Sequence, residues 1–135
     1  MPVALEIVSP EKLLFSQPVD MVVIPAAEGD LGVLPGHSPM IVMLRGGTIS
    51  TYEGAQVRER LFVAGGFAEI TPERCTVLAD EAVPVANVSK AAAEDRIAAA
   101  QTTYDAVDKM DITSLDAAMD RLQAARAMLA AAEAP

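Results

Sequence analysis

The chain has 135 residues, of which 52% are apolar and only 4% aromatic, and its formal net charge at pH 7 is −9. This length predicts one domain, or one domain with an appendage. The negative charge argues against nucleic acid and against an anionic lipid surface as partners, because both select clusters of Lys and Arg.

The first residues, MPVALEIVSPEKLLF, have no basic segment and carry Glu6 within their first apolar run. This composition does not predict a signal peptide. No uninterrupted apolar run approaches the roughly 20 residues that a membrane helix needs. We therefore expect a protein of cytosolic type with no direct membrane insertion.

Up to about residue 84 the sequence has the alternation and the turn residues of an all-β unit. Val3, Leu5 and Ile7 alternate with Ala4 and Glu6, which is the period of a half-buried strand. Further apolar runs recur between Gly- and Pro-containing turns. They lie at 13–15, 19–24, 31–34, 40–44, 48–52, 61–63, 67–70 and 75–79. The pattern predicts about eight to ten short strands in a sandwich or flattened barrel.

Residues 22–39 form the most distinctive stretch of this unit. Pro25 is expected to end the strand that precedes it, because proline cannot donate a ladder hydrogen bond. An acidic loop at 26–30 follows, and the Pro-Gly pair at 35–36 predicts a tight turn. The single histidine, His37, comes directly after that turn. An acidic loop close to a lone histidine predicts a contact surface rather than a pocket.

From Asn87 onward Ala supplies about a third of the residues and Gly is absent, which is typical of helices. Ser89 predicts an N-cap. Residues 108–111 interrupt the helical pattern, and Thr113 with Asp116 resembles a capping box at the start of a second helix. The two apolar stripes contain Ala93, Ile97, Ala100, Tyr104 and Val107, and then Ala118, Leu122, Ala125, Leu129 and Ala132. Helices joined by so short a connection pack antiparallel.

The sequence therefore predicts an α+β protein of two domains. Residues 1–86 form an all-β flattened sandwich or barrel of about ten strands, and residues 87–135 form an antiparallel two-helix hairpin. Because each Ala buries little area at ~25 cal/mol per Å2, we expect the hairpin to be held by only a few kcal/mol. A partner could shift such a weakly held element.

No catalytic set and no metal site is predicted. A single histidine excludes multi-histidine metal sites. Cys75 lies in an alternating apolar run and is interpreted as a small buried residue rather than a reactive thiol. Glu28 and Asp30 could act as an acid/base pair, but two carboxylates on a Gly-containing loop are usually solvated turn residues. The Gly-rich residues 64–66 join two strands, so they offer no helix N-terminus to a phosphate.

Two long motifs resemble a known family. Residues 23–39, VIPAAEGDLGVLPGHSP, look like the signature of the epsilon subunit of bacterial F-type ATP synthases. Residues 62–70, FVAGGFAEI, followed by TVLAD at 76–80, resemble the second signature of that family. The opening Leu5, Val8-Ser9-Pro10-Glu11 and Leu14-Phe15 fits it too. With the C-terminal hairpin, the resemblance covers essentially the whole chain.

The resemblance implies a ten-stranded β-sandwich with a two-helix domain, located in the rotating central stalk. Such a subunit catalyses nothing itself. It couples the gamma subunit to the ring of c subunits, and its C-terminal helices can extend in many members to inhibit ATP hydrolysis at the alpha and beta subunits. The implied location is the cytoplasmic face of the inner (plasma) membrane, as a peripheral part of the complex.

Residues of the β-domain correspond to the family's contact positions. Glu28, Gly29 and Asp30 match the loop that meets the polar loops of the c ring, where acidic groups fix register more than they add affinity. An ordinary solvated turn is the alternative for this loop. His37 matches a position at the gamma contact, and a turn histidine with its hydrogen bonds satisfied is the alternative there.

The hairpin departs from the family's ATP-binding pattern, (Ile/Leu)-Asp-x-x-Arg-Ala. The matching residues here place Asn87 where the pattern has Asp and Lys90 where it has Arg, which removes the bidentate fork suited to phosphate. Arg121 remains at a matching position, and Arg126 is a further regulatory candidate on the second helix. We therefore expect ATP binding to be weak or absent, with no other cofactor.

The charge of the hairpin bears on inhibition. Its five cations are Lys90, Arg96, Lys109, Arg121 and Arg126, and its eight anions are Glu94, Asp95, Asp105, Asp108, Asp111, Asp116, Asp120 and Glu133. A net charge of −3 suits an acidic partner poorly. We therefore expect a coupling subunit with little or no inhibitory activity. The alternative function is a free-standing β-sandwich adaptor with a helical arm.

Overall fold

The computed structural model describes residues 2–133. Within this range the chain forms ten strands, one short 3-10 helix and two α-helices. The strands are β1 (Val3–Val8), β2 (Leu13–Val19), β3 (Met21–Ala26), β4 (Gly29–Val33), β5 (Met40–Leu44), β6 (Gly47–Glu53), β7 (Gln56–Val63), β8 (Gly66–Ile70), β9 (Arg74–Ala79) and β10 (Ala82–Pro84). The 3-10 helix spans Val85–Asn87, and the α-helices are α1 (Lys90–Ala106) and α2 (Ile112–Glu133). The predicted fold class is confirmed.

All ten strands belong to one sheet, in the order β10-β7-β6-β3-β5-β8-β9-β1-β2, with β4 paired to β3. The pairs are antiparallel except β1 with β9, which run parallel. Most strands bury alternate residues, so that one face of the sheet covers a common apolar core. Val3, Leu5 and Ile7, for example, are fully buried in a core to which eight strands contribute. We call this β-domain the head.

Pro25 does not end its strand, so that prediction was wrong. The residue is buried within β3 and lies opposite Asp30 of β4. Its carbonyl still accepts a hydrogen bond from the Arg45 N–H at 2.9 Å. The missing N–H costs the strand one donor, whereas the carbonyl and the side chain still serve the sheet and the core.

The two helices begin at side-chain caps, one predicted and one not. The Ser89 hydroxyl accepts from the Ala92 N–H at 3.2 Å, as predicted. The capping box predicted from Thr113 and Asp116 is wrong, because the cap of α2 is Asp111. Its carboxylate accepts from the Ser114 N–H at 3.2 Å and from the Ser114 hydroxyl at 2.8 Å. The predicted polar connection at 108–111 therefore contains the cap of the second helix.

The helices pack against each other and against the head. Ala118, Leu122 and Ala125 of the predicted α2 stripe are buried. Three further residues of α2, Ala124, Met128 and Ala131, are also buried. Met128 and Ala131 join Phe62 of β7 and Ala93 of α1 in a second apolar cluster. Helix α2 thus has two buried faces, of which the sequence pattern predicted one.

The predicted domain boundary after residue 86 lies within the 3-10 helix. Over residues 2–133, neither helix combines the length and the apolar character that a membrane span requires.

Candidate functional site

The acidic tip of the β3–β4 hairpin is the first predicted contact surface. Ala27 and Glu28 form its turn, and Gly29 has a φ of 142°, a backbone conformation that residues other than glycine rarely adopt. The Glu28 side chain is exposed and has no ion-pair partner among residues 2–133. Asp30 instead accepts from Arg45 Nη2 at 2.8 Å. The tip therefore offers one uncompensated carboxylate and one that already has a partner.

His37 occupies the end of the predicted tight turn. Its N–H donates to the Leu34 carbonyl at 3.2 Å, and Gly36 has the expected positive φ of 82°. The ring Nδ1 lies 2.8 Å from the Ser38 carbonyl, so in this contact Nδ1 carries the proton. The imidazole is half-buried. The five residues of β4 span about 13 Å, and His37 follows the end of this strand opposite the acidic tip, so the two do not form one site.

An exposed apolar row crosses the outer face of the head, and the sequence analysis did not predict it. Five side chains lie side by side on neighbouring strands β5, β8, β9, β1 and β2. They are Met43, Phe67, Leu78, Val8 and Leu13, paired in that order by the sheet register. Met43 is 64% and Leu13 56% exposed. Apolar side chains that are this exposed and lie side by side are candidates for a contact with another molecule.

One sequence signal could have revealed the apolar row. The β5 segment, MIVML, is apolar at every position, although a strand with one solvated face alternates apolar and polar residues. Its outward residues Ile41 and Met43 are therefore candidates for an interface. His37 lies three residues before Met40, where β5 begins, so the histidine and this surface are close in the chain.

The four hairpin positions that were candidates for nucleotide binding do not converge. Asn87 is exposed in the 3-10 helix, and Lys90 pairs with Glu133 at 3.6 Å. Arg121 lines a cavity of about 430 Å3 that also contains Arg96, Asp80 and Asp120. Arg126 lines a different one, of about 950 Å3, which we call the cleft.

The cleft lies between the head and the hairpin. Strand β6 contributes Tyr52 to its wall, and α1 contributes Tyr104. Its charged lining residues are Asp30, Arg45, Arg60 and Arg126. Three cations and one anion therefore face a space that both domains enclose, in a chain whose net charge is −9.

Cys75 shows no sign of reactivity. Its side chain is fully buried, and desolvation raises the pKa of the thiol to about 11. The interpretation of Cys75 as a small buried residue is confirmed. Among residues 2–133, no group of three or more His, Cys, Asp or Glu side chains is placed to hold a metal ion.

Comparison with known proteins decides the family. Residues 2–85 match the family described as ATP synthase, Delta/Epsilon chain, beta-sandwich domain. The ATP synthase epsilon chain of Granulibacter bethesdensis is 70% identical over 129 residues, which cover 96% of each chain. That of Gluconacetobacter diazotrophicus is 47% identical over 135 residues, covering 100% of this chain and 96% of the relative. The chain belongs to the ATP synthase epsilon family. The resemblance drawn from the two motifs is confirmed, and a free-standing adaptor is not favoured.

Two solved structures share the fold of this epsilon-family chain. One is from Euglena gracilis mitochondrial ATP synthase, described as OSCP/F1/c-ring; it has a TM-score of 0.77 at 22% identity and covers 96% of this chain and 81% of its own. The other is from Tetrahymena thermophila mitochondrial ATP synthase, described as central stalk/c-ring, with a TM-score of 0.66 at 13% identity, covering 98% and 97%. At these identities the likeness concerns the fold.

Two polar contacts attach the hairpin of this family member to its head. The Gln123 side-chain amide pairs with the backbone of Gly46. Gln123 Oε1 accepts from the Gly46 N–H at 2.9 Å, and Gln123 Nε2 donates to the Gly46 carbonyl at 2.6 Å. Arg96 of α1 donates two hydrogen bonds to Glu81, at 2.8 and 2.9 Å. The hairpin therefore rests on the head in a defined register.

Proposed function

We propose that this protein is a non-catalytic subunit of the central stalk of an F-type ATP synthase. It couples rotation of the c ring through the gamma subunit to ATP synthesis, at the cytoplasmic face of the inner (plasma) membrane. The observation that supports this role best is the exposed apolar row on the head. Together with the acidic tip it provides the head with two chemically different contact surfaces, as a coupling element between two partners requires.

The apolar row suits the gamma subunit, and His37 near the start of β5 is the proposed neighbouring contact. Burial of Met43, Phe67 and Leu78 in an interface would supply hydrophobic stabilisation, at ~25 cal/mol per Å2 of apolar area. The acidic tip suits the polar loops of the c ring. There Glu28 has no intramolecular ion pair to give up among the described residues, and Gly29 provides a turn that few other residues allow.

The proposed gamma contact is tested by binding of the full-length chain to the purified gamma subunit, or to ATP synthase from which the epsilon subunit has been removed. Met43→Asp places a carboxylate in the apolar row. We expect at least about a hundredfold weaker binding, because burying an unpaired charge costs several kcal/mol. Ile112→Asp is the matched control, since Ile112 is 70% exposed at the start of α2, outside the apolar row. Equal binding by the two variants would exclude this surface as the gamma contact.

The proposed c-ring contact is tested in the assembled, membrane-bound enzyme. Glu28→Lys reverses the charge of the exposed tip, and we expect lower proton-driven ATP synthesis with assembly intact. Glu53→Lys is a control at the exposed end of β6, where the carboxylate pairs with Arg58 at 3.2 Å. If Glu28→Lys and Glu53→Lys support the same rate of ATP synthesis, the acidic tip is not a functional contact.

We also propose that the hairpin inhibits ATP hydrolysis weakly or not at all, and that it binds ATP weakly or not at all. Its net charge of −3 supports this reading, because such a charge suits an acidic partner poorly. The four candidate residues do not line one cavity: Arg121 and Arg126 line two different cavities, and Asn87 and Lys90 line neither of them.

The assay is ATP hydrolysis by the assembled enzyme with the full-length chain and with a chain that ends at Val85. Equal rates are expected. A large increase on truncation would show that the hairpin is inhibitory. Equilibrium dialysis of the isolated full-length chain with ATP tests the second part, and saturable binding at micromolar ATP would overturn it.

A further inference from the structure

The connection between β5 and β6, residues 45–46, contacts the acidic tip on one side and the hairpin on the other. Arg45 donates to the Asp30 carboxylate of the tip at 2.8 Å. The next residue, Gly46, exchanges two hydrogen bonds with Gln123 of α2. Two adjacent residues thus contact the acidic tip and the hairpin, respectively.

The contact with α2 is unusually close. A Cβ atom on Gly46 would lie 2.5 Å from the Ala124 Cα and 2.9 Å from the Ala124 Cβ. The backbone of the connection therefore contacts the backbone of the helix, so a small displacement of one must displace the other. The Gly46 N–H is a direct reporter of this contact because it donates to Gln123 Oε1.

The charges of the cleft provide a reason for coupling. Arg45 lines it from the head and Arg126 lines it from α2, and Asp30 is the one carboxylate among its described lining residues. While Asp30 is paired with Arg45, it offsets part of this positive charge. If another molecule takes the Asp30 carboxylate, Arg45 loses its counter-charge while it faces a space shared with Arg126. Like charges across such a space oppose docking of the hairpin.

We propose that the acidic tip and the hairpin are coupled through residues 45–46 and the cleft. A partner that bonds to Asp30 with a cationic or amide group loosens the hairpin from the head. By linkage, a firmly docked hairpin disfavours the partner by the same factor. The identity of that partner as the c ring rests on the proposed function, whereas the coupling is a property of the chain itself.

The test uses the isolated full-length chain and hydrogen exchange of the Gly46 amide measured by NMR. Asp30→Asn imitates loss of the carboxylate to a partner, and we expect about threefold faster exchange, as suits a partly exposed ion pair. Glu28→Gln is the matched control because it neutralises the neighbouring tip carboxylate, which has no ion pair among residues 2–133. We expect Glu28→Gln to leave the exchange rate unchanged.

Two further variants separate coupling from a local effect on the connection. Gln123→Ala should accelerate Gly46 exchange at least about tenfold, because it removes the acceptor itself. Adding Arg126→Gln to Asp30→Asn should return the rate toward that of the wild type, since Arg126 lies on α2 and not on the head. The double variant is a measure of coupling between the two domains.

Three results would overturn the proposal. They are equal exchange rates for Asp30→Asn and Glu28→Gln, no recovery with Arg126→Gln, and no acceleration by Gln123→Ala. Because no c ring is present, these results are independent of whether the acidic tip binds one. A failed ATP-synthesis test with Glu28→Lys would remove the proposed partner and leave the coupling intact.

Discussion

Replacing Gly46 with Ala tests how closely the hairpin rests on the head. The new Cβ would lie 2.5 Å from the Ala124 Cα, and ordinary contacts of a Cβ atom begin at 3.4 Å. Helix α2 must therefore move away by about 1 Å, and the hydrogen bonds of Gln123 would then exceed hydrogen-bonding distance. Loss of two hydrogen bonds at about 1 kcal/mol each, together with overpacking of about 1–2 kcal/mol, predicts a destabilisation of about 3–4 kcal/mol.

The measurement is urea unfolding of the full-length chain followed by circular dichroism, with hydrogen exchange over residues 112–133. Gly32→Ala is the matched control, because a Cβ there would meet nothing nearer than the Met21 sulfur at 3.8 Å. Neither glycine has a positive φ, so both substitutions differ mainly in the space available. If Gly46→Ala and Gly32→Ala unfold with the same free energy and show the same exchange over α2, the close contact between Gly46 and α2 does not exist in solution.

Three other predictions concern single groups. Burial raises the pKa of the Cys75 thiol to about 11, so the unfolded chain loses the thiol proton before the folded chain does as the pH rises. The free energy of unfolding should therefore fall by about 1.4 kcal/mol per pH unit between about pH 9 and 11, and urea titrations of Cys75→Ala should not show this fall. Hydrogen bonds from the Ser114 hydroxyl and N–H lower the pKa of Asp111, so the ionised carboxylate stabilises the folded state above the usual Asp pKa, and this stabilisation is lost as the pH falls through the lowered value. The loss of stability caused by Asp111→Ala should therefore shrink in acid, and a loss that is independent of pH would contradict this. Arg96→Ala should destabilise the docked hairpin by about 0.5–1 kcal/mol, because the ion pair with Glu81 is bidentate but partly exposed. The double variant Arg96→Glu with Glu81→Arg should recover most of this loss in the same unfolding assay, and a double variant no more stable than Arg96→Ala would argue against the pairing.

The strands of the head could be predicted because their signal is local. Val3, Leu5 and Ile7 alternate with exposed or half-buried residues, and the structure buries all three. The exception, Pro25, was misread because a lost donor was taken to end the strand. What decided the outcome was the burial of its ring and the use of its carbonyl, which depend on neighbours outside the local sequence.

The contacts that place the hairpin could not be predicted in the same way. Gln123 and Gly46 are 77 residues apart, and neither belongs to a periodic pattern. A glutamine on a helix is ordinarily solvated, and a Gly-Gly pair between strands is ordinarily a turn. The same holds for Asp30, whose partner Arg45 could be assigned only once β4 and the β5–β6 connection were placed in space.

The apolar row illustrates a third case, since its members were visible and their arrangement was not. Met43, Phe67 and Leu78 each lie in a predicted strand, but they become one surface only through the register of β5, β8 and β9. Periodicity assigns a residue to a strand, whereas pairing between strands decides which exposed residues are neighbours.

The parallel pairing of β1 with β9 has a consequence for how the chain is made. Ala4 lies opposite Arg74, so β1 can meet this neighbour only after about 70 further residues have been synthesised. Until then β1 can pair only with β2, and a lone two-stranded hairpin is marginally stable in water. The nascent head therefore stays incomplete until β9 emerges, and the helices, which follow β10 in the chain, pack against a surface that has only just formed.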